Sequence, residues 1–160
     1  MRYVLIDRIT GLEAGRTLTA VKNVSLSDDL VARLGPGVSA LPPSMVLEAM
    51  AQAAGLLTVA SAPAPAQPVL AKVQPFTAFA PAVAGDRIEL RAELQDLRAE
   101  GAKARVAASV DGRLVAEATI YLALIPLDGP GDAGRAALLR ERLADTFPEW
   151  FAAGTAVGMH

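Results

Sequence analysis

The stretch that most constrains this chain runs over residues 44–60: Ser44-Met45-Val46-Leu47-Glu48-Ala49-Met50-Ala51-Gln52-Ala53-Ala54-Gly55-Leu56-Leu57-Thr58-Val59-Ala60. It reads as a helix that is apolar nearly all round, and a helix of that kind is buried. Pro42 and Pro43 precede it, and proline suits the first helical position because the missing N–H would have had no partner there. Through its middle only Ser44, Glu48 and Gln52 break the apolar surface. Their i, i+4, i+8 spacing puts them on one face. A carboxylate on a buried helix is costly unless it is paired, hydrogen-bonded or kept for chemistry. Two readings stand at this point. Glu48 is a structural residue satisfied by Gln52 or by backbone at a subunit interface, or it is a functional carboxylate with Ser44 and Gln52 beside it.

The rest of the composition narrows the function classes. At 160 residues, 52% hydrophobic and 20% charged, the chain is expected to form one domain with a real core. Net charge is −2 and the basic residues form no run, which argues against nucleic-acid binding. With no cysteine there is no disulfide, thiolate metal site or Cys nucleophile. The single histidine is His160, the last residue, a poor position for a catalytic base. The apolar run at residues 3–6 is too short for a signal peptide, and the central helix reads as too short and too interrupted to span a bilayer. The expectation is a soluble cytoplasmic protein, with no membrane partner and no metal.

Around the helix the pattern is mostly strand. Residues 3–9 are β-rich, residues 13–16 form a turn, and residues 17–24 read as a second strand. Ser27-Asp28-Asp29 suits a helix start, so a short helix ending near Leu34 is expected, followed by a loop over residues 35–43. Residues 62–68 form a Pro/Ala loop. Residues 69–79 form a strand in which Pro75 calls for an edge position or a bulge. In residues 87–95 Ile88, Leu90, Ala92 and Leu94 alternate with charged or polar residues, so one face is buried and the other wet. The next strand turns Ala104, Val106, Ala108 and Val110 inward, Asp111-Gly112 makes a tight hairpin, and the last strand is expected to turn Leu114, Ala116, Ala118, Ile120 and Leu122 inward. Residues 126–134 are a Gly/Pro linker. Residues 135–144 form an amphipathic helix with Leu138, Leu139 and Leu143 as its apolar side, and a further short turn is expected at Pro148-Glu149-Trp150-Phe151. The chain thus divides into a domain at residues 1–125 and a linker with helical tail at residues 126–160.

One helix among antiparallel strands is buried if a single sheet wraps around it and a second copy covers what remains. Specific motifs sharpen this. Leu47-Glu48-Ala49-Met50-Ala51-Gln52-Ala53-Ala54-Gly55 resembles the central-helix motif of the FabZ/FabA-like β-hydroxyacyl-ACP dehydratase family. Val21-Lys22-Asn23-Val24 resembles the strand before that family's active-site loop, residues 81–87 its proline-glycine-aspartate turn, and residues 110–118 its late hairpin. The resemblance covers about residues 3–125. It implies an α+β hotdog fold: an antiparallel sheet around one long helix, dimeric. The tunnel between subunits would hold an acyl chain on the phosphopantetheine of acyl carrier protein or CoA. In the family a loop histidine of one subunit faces the helix acid of the other, and together they dehydrate a 3-hydroxyacyl thioester without metal or redox cofactor.

Glu48 matches the family's acid, and counting back from it shows two departures. Leu34 stands where the histidine belongs, with Gly37 on the glycine of the loop motif. Pro43 stands where a glycine N–H polarises the thioester carbonyl at the helix start. Leu34 cannot exchange a proton and Pro43 has no N–H; Ser44 N–H is the available substitute, one residue displaced. The resemblance therefore implies Glu48 as the catalytic candidate, with Leu34, Gly37, Pro43, Ser44 and Gln52 lining the binding site. It leaves open an impaired dehydratase that still binds acyl thioesters, a thioesterase using Glu48 and water, a dehydratase active through an unusual residue, and the non-catalytic half of a heterodimer with a histidine-bearing hotdog partner. A homodimer or higher homo-oligomer is the default assembly.

Overall fold

A computed structural model of the chain describes residues 4–127 and 129–148. The expected turn at Pro148-Glu149-Trp150-Phe151 falls mostly, and His160 wholly, outside the described residues. Strands β1 (Arg8–Glu13), β2 (Thr17–Asn23), β5 (Ala66–Ala78), β7 (Arg87–Arg98), β8 (Gly101–Val110) and β9 (Arg113–Pro126) form one antiparallel sheet in the order β1-β2-β7-β8-β9-β5. Helix α1 (Pro43–Ser61) lies in its concave side and touches β2, β5, β7, β8 and β9. Three short strands, β3 (Ala32–Gly35), β4 (Val38–Leu41) and β6 (Ala82–Val83), make a second sheet in the order β3-β4-β6. Helix α2 (Asp132–Thr146) closes the described chain.

The strand alternation does what its period demands. Ile88, Leu90 and Ala92 of β7, Ala104, Val106 and Ala108 of β8, and Ala118 and Ile120 of β9 are buried against α1. The small alanines let the sheet close tightly on Ala49, Met50, Ala53, Ala54 and Leu57, all fully buried. Leu57 alone contributes about 1.5–3 kcal/mol by leaving water. Thr58, also fully buried, satisfies its hydroxyl by donating to the Ala54 carbonyl at 2.8 Å.

Several expectations need correction. First, α1 is buried on one face of the protomer, whereas Pro43, Ser44 and Glu48 are exposed and Leu47, Ala51 and Gly55 half-buried. Second, its 19 residues are long and apolar enough to cross a membrane by length and composition; more than half of that stretch is buried here under the sheet. Third, β1 begins at Arg8, so of the described part of the β-rich run at residues 3–9 Arg8 and Ile9 alone belong to it. Leu5 and Ile6, ahead of the strand, are both buried in the core. Fourth, Leu114 faces out and Val115 is buried, because the β8–β9 register slips between Ala108 and Ser109 and the extra residue inverts the phase. Fifth, residues 27–34 form no helix. Asp28 spends its carboxylate on Leu30 N–H (3.0 Å) and on Lys22 (3.0 Å), which fixes a turn, and the chain continues into β3. The expected loop at residues 35–43 contains β4. Gly35-Pro36-Gly37-Val38 is a tight turn with proline second and Gly37 third, at φ +73°, the conformation glycine adopts without strain.

Other readings match. Pro75 lies in the edge strand β5, inside the register shift between Val73 and Phe76. Asp111 and Gly112 both have positive φ, as a two-residue hairpin requires. Helix α2 is longer than residues 135–144. Leu139 and Ala136 face Val59, Ala62 and Leu127, Leu143 packs on the core with the buried Phe147 nearby in sequence, and Leu138 is exposed instead of inward.

Candidate functional site

Helix α1 starts abruptly. Pro42 is the cap residue and Pro43 the first helical residue, and no side chain caps the helix start. The first N–H groups of a helix lack intrahelical partners. Here two of those positions have no N–H at all, and Met45 N–H is returned to the Pro42 carbonyl at 2.8 Å. Ser44 N–H is then the helix-start donor that the helix itself does not use. No acidic residue lies in the first turn to neutralise the positive end of the helix dipole. The start of α1 thus offers one backbone donor and a partial positive charge beside the exposed Ser44.

One turn further, Glu48 is exposed on the protomer. Its Oε1 accepts a hydrogen bond from Gln52 Nε2 at 3.1 Å, as the i, i+4 spacing predicts. Gln52 is half-buried, and its Oε1 accepts Leu5 N–H at 2.9 Å. Gln52 therefore orients the carboxylate while tying down the segment before β1. The reading of Glu48 as satisfied by Gln52 is realised, on a face that the protomer leaves open.

The β3–β4 hairpin stands before the helix. Leu34 is 60% exposed on β3, with Gly37 at the tip and Val38 also exposed. The hairpin is joined to the rest through β6, where Ala40 pairs with Val83 and Leu41 with Ala82. The turn after β6 is a hub. Asp86 Oδ2 accepts Val83 N–H (2.8 Å), Val24 N–H reaches the Asp86 carbonyl (2.9 Å), Gly85 N–H reaches the Val24 carbonyl (2.8 Å), and Ala84 N–H reaches the Ser39 carbonyl (2.8 Å). This is why an aspartate closes the proline-glycine-aspartate stretch: its side chain fastens the turn that fixes β4 against the end of β2.

A second polar centre escaped the sequence reading. Lys22 is 7% exposed, the one lysine or arginine buried among the described residues. Its Nζ lies 3.0 Å from Asp28 Oδ2 and 3.9 Å from Asp7 Oδ1. The Leu30 N–H bond, with the Lys22 bond and charge beside it, holds the Asp28 carboxyl below the usual aspartate range against the opposing effect of burial. The signal was present: Leu18, Ala20, Lys22 and Val24 share the inward phase of one strand, and a lysine there must find anions. Among the described residues no group of three or more His, Cys, Asp or Glu side chains comes together in a way that could hold a metal ion.

Comparison with known proteins fits this arrangement. The FabA-like domain matches residues 1–119. The 3-hydroxyacyl-[acyl-carrier-protein] dehydratase FabZ of Symbiobacterium thermophilum is 36% identical over 133 residues, covering 82% of this chain and 93% of that protein. FabZ of Listeria monocytogenes is 32% identical over 126 residues, covering 78% and 88%. A Streptococcus mutans protein solved with acetyl CoA superposes with a TM-score of 0.66 at 13% identity, over 79% of this chain and 94% of that one. A mutant of the phenylacetic acid degradation protein PaaI from Thermus thermophilus gives 0.58 at 24% identity, over 72% and 90%. At such identities the solved structures speak for the fold, an antiparallel sheet wrapped round a long helix. With a family match over most of its length and relatives above 30% identity on both chains, this chain belongs to the FabA-like family, as a FabZ-like protein of the hotdog fold.

Proposed function

We propose that this chain binds acyl chains carried as thioesters on the phosphopantetheine of acyl carrier protein or CoA, and that as a homo-oligomer it is impaired in dehydrating 3-hydroxyacyl thioesters. One observation carries the reading: the start of α1 keeps a donor and an oriented carboxylate, Ser44 N–H and Glu48, while the hairpin before it presents Leu34. Dehydration needs a base for the α-proton and an acid for the leaving hydroxyl, each worth roughly 10²–10⁴-fold. Glu48 can supply one of them and Leu34 neither. Ser44 N–H takes the thioester carbonyl in place of the donor that Pro43 lacks, and Gly37 and Gln52 line the same site.

In this reading the working unit contains at least two copies. Strand β5 is an edge of the sheet along 13 residues with Val69 and Leu70 exposed, and the Glu48 face of α1 is open. Long apolar edges of this kind are normally covered. A histidine-bearing hotdog partner in place of the second copy would complete the acid–base pair. The reading includes no metal or redox cofactor, and it puts the protein's work in the cytoplasm.

A second reading has its own support. Glu48 is exposed to water and hydrogen-bonded on Oε1, which suits a carboxylate activating water for thioester hydrolysis. Incubating purified protein with 3-hydroxyacyl-ACP and with acyl-CoA separates the readings. Mass spectrometry of the carrier shows loss of water, and a thiol reagent shows hydrolysis. Binding with neither reaction is expected; rapid formation of enoyl product would overturn the impairment, and rapid thiol release would favour the thioesterase.

A further inference from the structure

We infer that Lys22 is a positioning residue, whose ammonium, held between Asp28 and Asp7, seats the β3–β4 hairpin in front of the start of α1. The inference deepens the thioester-binding reading and rests on it for the ligand measurement alone.

Lys22 points inward from β2 and its side chain is 9% exposed. Replacing a buried ion pair by apolar groups of similar volume is often neutral or stabilising, so stability is a weak reason for such a pair; fixing one geometry is a better one. The geometry fixed here is the root of the hairpin. Asp28 takes Lys22 Nζ on Oδ2 and Leu30 N–H on Oδ1, both at 3.0 Å. Its own N–H reaches the Ser25 carbonyl, and its carbonyl accepts Val31 N–H, again both at 3.0 Å. The next residue is Ala32, the first of β3. Strand β3 is the outer strand of the small sheet, bonded to β4 on one side. Its exit is fixed by the turn at Pro36 and Gly37, and its entry by the Lys22–Asp28 clamp.

The cluster also reaches the helix carboxylate. Asp7 Oδ2 accepts Asn23 Nδ2 at 3.0 Å and its Oδ1 faces Lys22. Asp7 N–H is donated to the Val21 carbonyl, and two residues earlier Leu5 N–H is donated to Gln52, which holds Glu48. Segment 5–7 thus connects Glu48 at one end with the root of the Leu34 hairpin at the other. Loss of the ammonium frees the entry to β3 while leaving the large sheet intact.

The test uses the full chain with three variants. Lys22→Met removes the charge and keeps the volume. Asp28→Asn keeps the Oδ1 acceptor for Leu30 and withdraws the anion; it stands in if Lys22→Met does not fold. Lys22→Arg restores the cation. Hydrogen exchange read by mass spectrometry should rise about tenfold or more in peptides covering residues 28–41 of the first two variants, corresponding to local opening, and stay unchanged in β7, β8 and β9. Binding of an S-octanoyl pantetheine analogue should weaken about tenfold in the same two and recover in Lys22→Arg. Exchange that stays flat, or that rises uniformly over the chain, overturns the positioning role, and equal binding by every variant overturns its bearing on the site. If wild type does not bind the analogue, the thioester reading fails, while the exchange pattern still decides the role of Lys22.

Discussion

Gln52 joins Glu48 to the N-terminal segment: its amide donates to the Glu48 carboxylate at 3.1 Å and accepts Leu5 N–H at 2.9 Å, so one side chain sets both. This arrangement makes Glu48→Gln informative. The variant keeps an oxygen that can accept from Gln52, so the melting temperature should stay close to that of wild type. Any thioester cleavage should fall by about 10²-fold or more if the carboxylate is the base. Cleavage that survives in Glu48→Gln would remove Glu48 from the chemistry.

Restoring dehydration takes two changes. Leu34→His alone should leave turnover of 3-hydroxyacyl-ACP close to background, because Pro43 has no N–H and Ser44 N–H, displaced by one residue, binds the carbonyl without meeting the oxyanion that develops in the transition state. Leu34→His with Pro43→Gly should raise it by about 10²-fold or more, the order of one well-placed acid–base group. Equal rates in the single and double variants would show that the carbonyl donor is not what Pro43 removes.

Leu57 is fully buried in the C-terminal part of α1. Leu57→Ala should cost about 2–5 kcal/mol of unfolding free energy, measured by urea denaturation, since the surrounding sheet cannot collapse into the cavity. Leu138→Ala, on the exposed side of α2, should change stability by no more than about 0.5 kcal/mol.

Asp28 makes stability depend on acid. Its carboxyl titrates lower in the folded chain than in the unfolded one, so its contribution is full above about pH 3.9, the ordinary aspartate value, and is lost as pH falls through the lowered folded value. Wild type should therefore melt higher than Asp28→Asn at pH 6, with the gap narrowing below about pH 4. A gap that stays constant between pH 6 and pH 2.5 would contradict the assignment.

The exposed Glu48 face and the long β5 edge call for a second copy. Sedimentation equilibrium at micromolar concentration should give at least twice the mass of 16.6 kDa. A stable monomer at that concentration would count against the tunnel between subunits.

What the sequence revealed followed from periodicity and what it concealed followed from side chains that bond to backbone. The alternation in β7 and β8 and the apolar run of α1 are properties of a repeating backbone, legible in one dimension. The turn at Asp28 was misread as a helix start because the same acidic residues serve both, and the choice was made by Lys22, six residues away. Leu114 was misassigned by a one-residue register slip that no alternation pattern carries. In the site, the spacing of Ser44, Glu48 and Gln52 gave their shared face. Which side of the helix that face would be on depended on the sheet, and the open side became visible only once the protomer was folded. Lys22 was written in the inward phase of its strand and went unweighed.

Strand β5 is bonded to β9 on one side, and Pro68 and Pro75 interrupt it. Proline offers no N–H, so the longest proline-free stretch that the open edge presents to an arriving strand lies between these two residues. The edge is thus a gauge of fixed length. It accepts a short partner segment in one zone and refuses the indefinite lateral growth that a flat, uninterrupted edge invites. Two prolines placed seven residues apart bound how this sheet can be continued without closing it.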